Sequence, residues 1–213
     1  MEDGSIVPPN CVNPDACTEA DFRRWGVDGY GLNETEATEL ATIYADEKIR
    51  NVTANGRAVG GSKWYWAQVH AGADAQSTCQ ARKAVRWAAA RGQPAWWYYW
   101  EYPPKNPATG APEAAVHCAE LKFLWRLRCN ATWTSGRPWA AKQCQFGLHF
   151  ASYWQSFAAR GNPSLGPTLW PPYSENGAAA RTALVATDAM TFAAQTNLRQ
   201  SRCDFWDRLL PLW

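Results

Sequence analysis

A chain that moves protons at neutral pH needs an imidazole, and this one offers three, at positions 70, 117 and 149. His117 has the most suggestive neighbours. In Val116–Trp125, "VHCAELKFLW", a thiol follows it at Cys118 and a carboxylate stands three residues on at Glu120, after the Pro- and Gly-bearing stretch 103–116 and before an apolar run. An imidazole with a solution pKa near 6.5 can take a proton from a hydroxyl and return it to a leaving group. A loop histidine at a helix start can also simply cap or pack. A Cys118–His117 nucleophilic pair is conceivable, but adjacent residues rarely aim their side chains at each other in catalytic geometry, so Cys118 reads as a small packing residue. His70, beside Ala71–Gly72, and His149, within an aromatic helical pattern, read as packing or surface residues.

The seven cysteines, at 11, 17, 79, 118, 129, 144 and 203, include no C-x-x-C pair and no Cys/His cluster at zinc spacing. They point to disulfides rather than metal, and no metal or organic cofactor is expected. Sequons at Asn33, Asn51 and Asn130 mark candidate glycosylation sites. Together with the cysteines they favour an oxidising setting, hence a secreted or ER-luminal glycoprotein. The opening Met1-Glu2-Asp3-Gly4 is acidic and lacks the basic and apolar regions of a secretory signal. The expectation that reconciles the two is a natural N-terminus upstream of Met1. A net charge of +2 with no basic block gives no reason to expect a nucleic-acid partner, and no run approaches the roughly 20 apolar residues of a membrane span. Fourteen Trp residues need either a thick interior or an aromatic binding surface.

The elements that would position these groups alternate in type. The first thirty residues, rich in Pro, Gly and Cys, read as loop, with Cys11 and Cys17 able to close a small ring. Asn33 with Glu36 three later predicts a capping box and a helix through Leu40, Ile43 and Tyr44. "SKWYWAQVH", Ser62 to His70, alternates aromatic and polar residues and predicts a strand. A helix from about Ala75 to Arg91 stops at Gly92 and Pro94, and Ala95 to Tyr102, "AWWYYWEY", predicts a strand buried on both faces. A short helix over Ala119 to Leu127 follows the loop that delivers His117, a place where α/β enzymes keep their chemistry. Phe146, Phe150, Tyr153, Trp154 and Phe157 mark one face of a packed helix ending at Gly161. Leu184 to Phe192 predicts a last strand, and Cys203 to Leu210 a closing helix.

Five stretches, in this order, resemble the C-terminal portion of the type-B carboxylesterase and cholinesterase family, an α/β-hydrolase fold. They are "EDGS" at Glu2 to Ser5, Cys79 opening a helix, "VHCAELKFLW", "YWQSFAARGNP" through "WPPY" (Tyr153 to Tyr173), and "CDFWD" at Cys203 to Asp207. The resemblance spans almost the whole chain. It implies a single partial domain over residues 1–213, with a mostly parallel sheet flanked by helices and a nucleophile-bearing part upstream. It implies a carboxylic ester hydrolase working through an acyl-enzyme on a small-molecule ester, with a triad that runs Ser, acid, His along the chain.

His117 matches the family's catalytic histidine in its H-G-x-E/D motif. Asp3 matches the triad acid by position, with Glu2 in reserve, and Glu120 matches the motif's acidic residue and would support the site. A carboxylate beyond the imidazole fixes its tautomer and stabilises the imidazolium that forms. The sequence contains no G-x-S-x-G elbow, so the serine and the oxyanion donors are expected upstream. Cys118 departs from the family, which usually has Gly after the histidine. Cys79 and Cys203 match a family disulfide; of the other five, Cys11 with Cys17 and Cys129 with Cys144 are plausible pairs, a choice the sequence leaves open and one that leaves Cys118 free. The alternative function is a non-catalytic, cholinesterase-like adhesion protein, to which Cys118 and the E-D-G order lean. A Trp-rich glycan-binding module is a further rival, which burial of Trp96, Trp97, Trp154 and Trp206 would count against.

Overall fold

The computed structural model describes every residue except 1–10, 49–51, 55–56, 104–114, 116, 126–128, 130–139, 165–169, 178–179 and 211–213, with residues 52–54 and 57–59 described as backbone. The elements run in the order α1 (Glu19–Tyr30), α2 (Glu34–Ile43), β1 (Val52–Ala54), β2 (Arg57–Val59), α3 (Lys63–Ala73), α4 (Cys79–Ala89), β3 (Tyr98–Trp100), α5 (Leu121–Leu124), α6 (Ala141–Arg160), β4 (Ala183–Ala186), β5 (Phe192–Gln195) and α7 (Gln200–Leu209). A π-helical turn, Asp74–Thr78, links α3 to α4. The chain divides into two compact units, one of residues 1–80 with 199–213 and one of residues 81–198.

Among the described residues of the first unit, the elements are helices apart from the antiparallel pair β1–β2. Asn33 caps α2 through Oδ1, which accepts from the Thr35 and Glu36 amides, while Glu36 reaches back to the Asn33 amide, as the sequence predicts. Two expectations fail here. Residues 19–30 form α1 rather than loop, opened by a Thr18–Asp21 capping box and closed by Gly31 in the left-handed region. Residues 63–73 form α3 rather than a strand. Ser62 Oγ caps it by accepting from the Tyr65 amide, and every residue from Tyr65 to Ala73 is buried, so no polar face survives to show a helical period. Phe22, Trp25, Leu40, Tyr44, Phe205 and Trp206 form the core of this unit.

Charged groups are buried with that core. Tyr44 donates to Asp74 Oδ2 at 2.8 Å, Arg199 pairs with the same oxygen at 2.8 Å, and Trp206 Nε1 donates to the Tyr44 hydroxyl. His70, helical and buried rather than beside a turn, places Nδ1 3.0 Å from Glu47 Oε2, which Arg202 also contacts at 3.1 Å. Burial opposes ionisation of Glu47, but the His70 hydrogen bond and the charges of His70, Arg202 and Arg199 outweigh it and hold the pKa at about 2. Disulfides join Cys11 to Cys17 and Cys79 to Cys203.

The second unit is built around a sheet in the order β3-β4-β5, with β3–β4 parallel and β4–β5 antiparallel, so this unit is α/β. The strand expected over Ala95 to Tyr102 is shorter than its aromatic run, and Tyr99 and Trp100 are buried in it. The single strand expected over Leu184 to Phe192 is instead two, β4 and β5, folded back through a Thr187–Thr191 turn with Met190 at φ +60°. No turn-favouring pair of residues announces that reversal. Trp100, Tyr102, Phe123, Phe146, Phe150 and Phe192 pack into one aromatic core, and Cys129–Cys144 is bonded. Cys118 is the free cysteine.

Candidate functional site

The site is a four-residue turn, His117 to Glu120, held between the aromatic core and α5 in the second unit. Its backbone is tied by the Leu121 amide to Cys118 O at 3.2 Å and by the Phe123 and Leu124 amides to Glu120 O at 2.9 and 3.0 Å. Phe123, fully buried against Trp100, Tyr102 and Phe146, fixes α5 beneath the turn. Gly147 lets α6 approach: a Cβ there would lie 3.0 Å from the Phe123 carbonyl oxygen. The predicted helix over Ala119 to Leu127 is thus a short α5, Leu121–Leu124, with residues 126–128 outside the described set.

Within the turn, the ring of His117 is exposed, Cys118 is half-buried, and Ala119 and Glu120 are buried. Cys118 has φ +62°, the left-handed region that glycine enters freely and an L-residue enters at a cost of about 1–2 kcal/mol. The backbone therefore adopts the conformation a glycine would suit, at the position where the resembling motif has one. Glu120 Oε1 accepts a long hydrogen bond from the Tyr98 hydroxyl, 3.4 Å, and Oε2 has no hydrogen-bond partner among the described residues. Burial, and then the negative charge of Glu120, push the Tyr98 hydroxyl well above its ordinary range, so it stays a donor.

The structure thus brings His117, Cys118 and Glu120 into one turn and adds Tyr98, a partner that sequence reading misses because strand periodicity does not say which ring hydroxyl faces which carboxylate. Glu2 and Asp3 lie outside the described residues, as do the sequons Asn51 and Asn130. Asn33 is described and exposed at the start of α2. His70 belongs to the other unit, and His149 lies on α6, stacked on Tyr153 at 5.0 Å, with burial lowering its pKa. Among the described residues no group of three His, Cys, Asp or Glu is placed to hold a metal ion, and no helix is long and apolar enough to cross a membrane. Trp97 and Trp206 are buried and Trp96 is half-buried, so most of the rings in question build cores rather than exposed platforms; Trp154 is the exception at 41% exposure.

Residues 13–206 match the family model described as the carboxylesterase family. The match takes in Cys79, His117, Glu120 and Cys203, and begins after Asp3.

Proposed function

The chain belongs to the carboxylesterase family, and from that premise we propose that it supplies the histidine and the acid of a serine ester hydrolase, with the nucleophile carried by sequence upstream of Met1. Membership supports carboxylic ester hydrolysis of small-molecule substrates in general. His117 is the general base that takes the serine proton and the general acid that returns it to the leaving alcohol. Asp3, with Glu2 in reserve, holds the imidazole tautomer. Glu120, clasped by Tyr98, keeps the turn in place. The observation that carries this reading is the left-handed backbone at Cys118, directly after an exposed His117 and two residues before a buried carboxylate.

Two further features support the missing-part reading. The aromatic strand β3 is an edge of its sheet among the described residues, yet its Tyr99 and Trp100 are buried, and proteins normally pair or cover such an edge. A further strand from the same domain would pair it. The three disulfides fit a secreted or ER-luminal setting, where the sequons at Asn33, Asn51 and Asn130 would carry glycans.

The test has two arms. The 213-residue chain alone should hydrolyse a nitrophenyl ester no faster than its His117→Ala variant. The longer gene product, carrying a G-x-S-x-G segment, should lose at least about 10³-fold in kcat on His117→Gln with its fold intact. Turnover by the short chain that depends on His117 would overturn the missing-nucleophile reading, and a longer product indifferent to His117→Gln would overturn the catalytic one. The adhesion-like alternative draws on Cys118 standing where a glycine is usual. A longer product whose elbow lacks serine would favour it.

A further inference from the structure

Helix α6 carries its apolar stripe further than the sheet covers it. Phe146, Phe150 and Tyr153 are buried, but Trp154 and Phe157, one and two turns on, remain 41% and 47% exposed. They do not face open solvent alone. Together with Trp96, Tyr98, Tyr153 and Trp170 they line a cavity of about 310 Å³ within the second unit, at the lower end of the volumes of small-molecule sites, roughly 300–1,000 Å³.

The rings are braced by one another. Trp96 meets Phe157 at 71° and 5.6 Å, Tyr98 meets Trp154 at 75° and 5.9 Å, and Tyr153 meets Trp170 at 87° and 5.7 Å. Such edge-to-face contacts hold ring faces upright around the space rather than letting them collapse into it. Three polar atoms of the walls are already engaged: Trp96 Nε1 donates to Trp170 O at 3.1 Å, Trp170 Nε1 to Trp97 O at 3.0 Å, and the Tyr98 hydroxyl to Glu120. An occupant is therefore offered ring faces and edges and few hydrogen bonds. Water gains little there, whereas a flat apolar molecule would extend the edge-to-face pattern and cover the two exposed rings at the mouth.

We propose that this cavity is a binding site for an uncharged, flat, apolar molecule of about two fused rings. Its test uses no turnover, so its failure is separate from failure of the hydrolase reading. Equilibrium dialysis of the 213-residue chain against 2-naphthol should give saturable binding of one equivalent. Trp154→Ala should weaken it at least tenfold, whereas Trp87→Ala, an exposed ring on α4 outside the cavity, should leave it unchanged. Phe157→Leu keeps an apolar side chain and should weaken binding only severalfold, and far-UV circular dichroism confirms that each variant is folded.

Non-saturable uptake, or affinity indifferent to both Trp154→Ala and Phe157→Leu, would overturn the site. Tighter binding of tetramethylammonium than of 2-naphthol would overturn the uncharged assignment, because ring faces also attract cations. The longer gene product should bind the probe as well. If it excludes 2-naphthol while the 213-residue chain binds it, the cavity is an internal seam filled by the rest of the domain, and the proposal fails.

Discussion

Both units bury rings and charged side chains, but the helical unit of residues 1–80 and 199–213 joins its charges in ion pairs beside the core, whereas rings dominate the main core of the unit of residues 81–198. In the first, Arg199 pairs with the buried Asp74, Arg202 and the buried His70 both meet Glu47, and a disulfide ties Cys79 to Cys203 across 124 positions of sequence. In the second, the core around Trp100 is a mesh of aromatic contacts at 5–6 Å. The difference bears on where function can sit. Paired buried charges and a long cross-link punish rearrangement, although a left-handed non-glycine residue stands in each unit, Arg199 in the first and Cys118 in the second. The unit with the left-handed Cys118, the exposed His117 and the ring-lined cavity is the aromatic one.

The sharpest way to break that contrast is to remove its covalent half. Cys79→Ala with Cys203→Ala should cost about 5 kcal/mol in urea unfolding, the chain-entropy figure for a loop of this length. A loss below about 1 kcal/mol would mean that the first unit is held by packing much as the second is. In the second unit, Phe123→Ala should cost about 4 kcal/mol, with loss of near-UV ellipticity from the rings around Trp100. It should also loosen the His117 turn, which a faster chemical modification rate at His117 would report.

The ionic half of the contrast is readable by pH. Glu47 titrates at about 2 in the folded chain against an ordinary value of 4.5, so its contribution is complete above about pH 4.5 and is lost as pH falls through 2. Glu47→Gln should cost about 3 kcal/mol at pH 7, because it leaves Arg202 and His70 facing an uncharged group, and should flatten the stability curve between pH 4.5 and 2. Thermal melts across that range check both. An unchanged acid limb would show that this cluster does not set the first unit's acid sensitivity.

How legible each region was follows from the same physics. Helix α2 could be read because Asn33 and Glu36 stand three apart as a capping box, a local pattern that needs no tertiary information. Helix α3 could not, since Trp66, Gln68 and His70 are all buried and a helix enclosed on every side loses the periodicity that announces it. Helix α1 was obscured by Gly26 and Gly29 in its interior. At Gly26 a Cβ would come within 3.1 Å of Leu32, a tertiary constraint invisible in the chain. The Thr18–Asp21 box was there to be read, with Asp where Glu or Gln is usual. The family motif singles out His117 and Glu120 as candidates, but nothing in "AWWYYWEY" says that Tyr98 is the ring whose hydroxyl finds Glu120. Resemblance points to the Cys79–Cys203 pair alone; the sequence leaves the other five cysteines open, and the structure joins Cys11 to Cys17 and Cys129 to Cys144.

The smallest expected effect bears most directly on the site. Cys118 holds φ +62° without glycine's freedom, a strain of about 1–2 kcal/mol, of which glycine's larger unfolded-state entropy would return roughly half. Cys118→Gly should therefore raise stability by up to about 1 kcal/mol, read as a higher urea midpoint at unchanged slope. Cys118→Ala keeps a Cβ and should give no such gain, which separates backbone relief from loss of the thiol. Were Cys118→Gly destabilising instead, the half-buried thiol would be contributing more packing than its backbone costs, and the second unit's margin would be as tightly fitted as its core. A gain would identify the turn beside the exposed His117 as one place, among the left-handed positions that include Met190, where the aromatic unit carries strain.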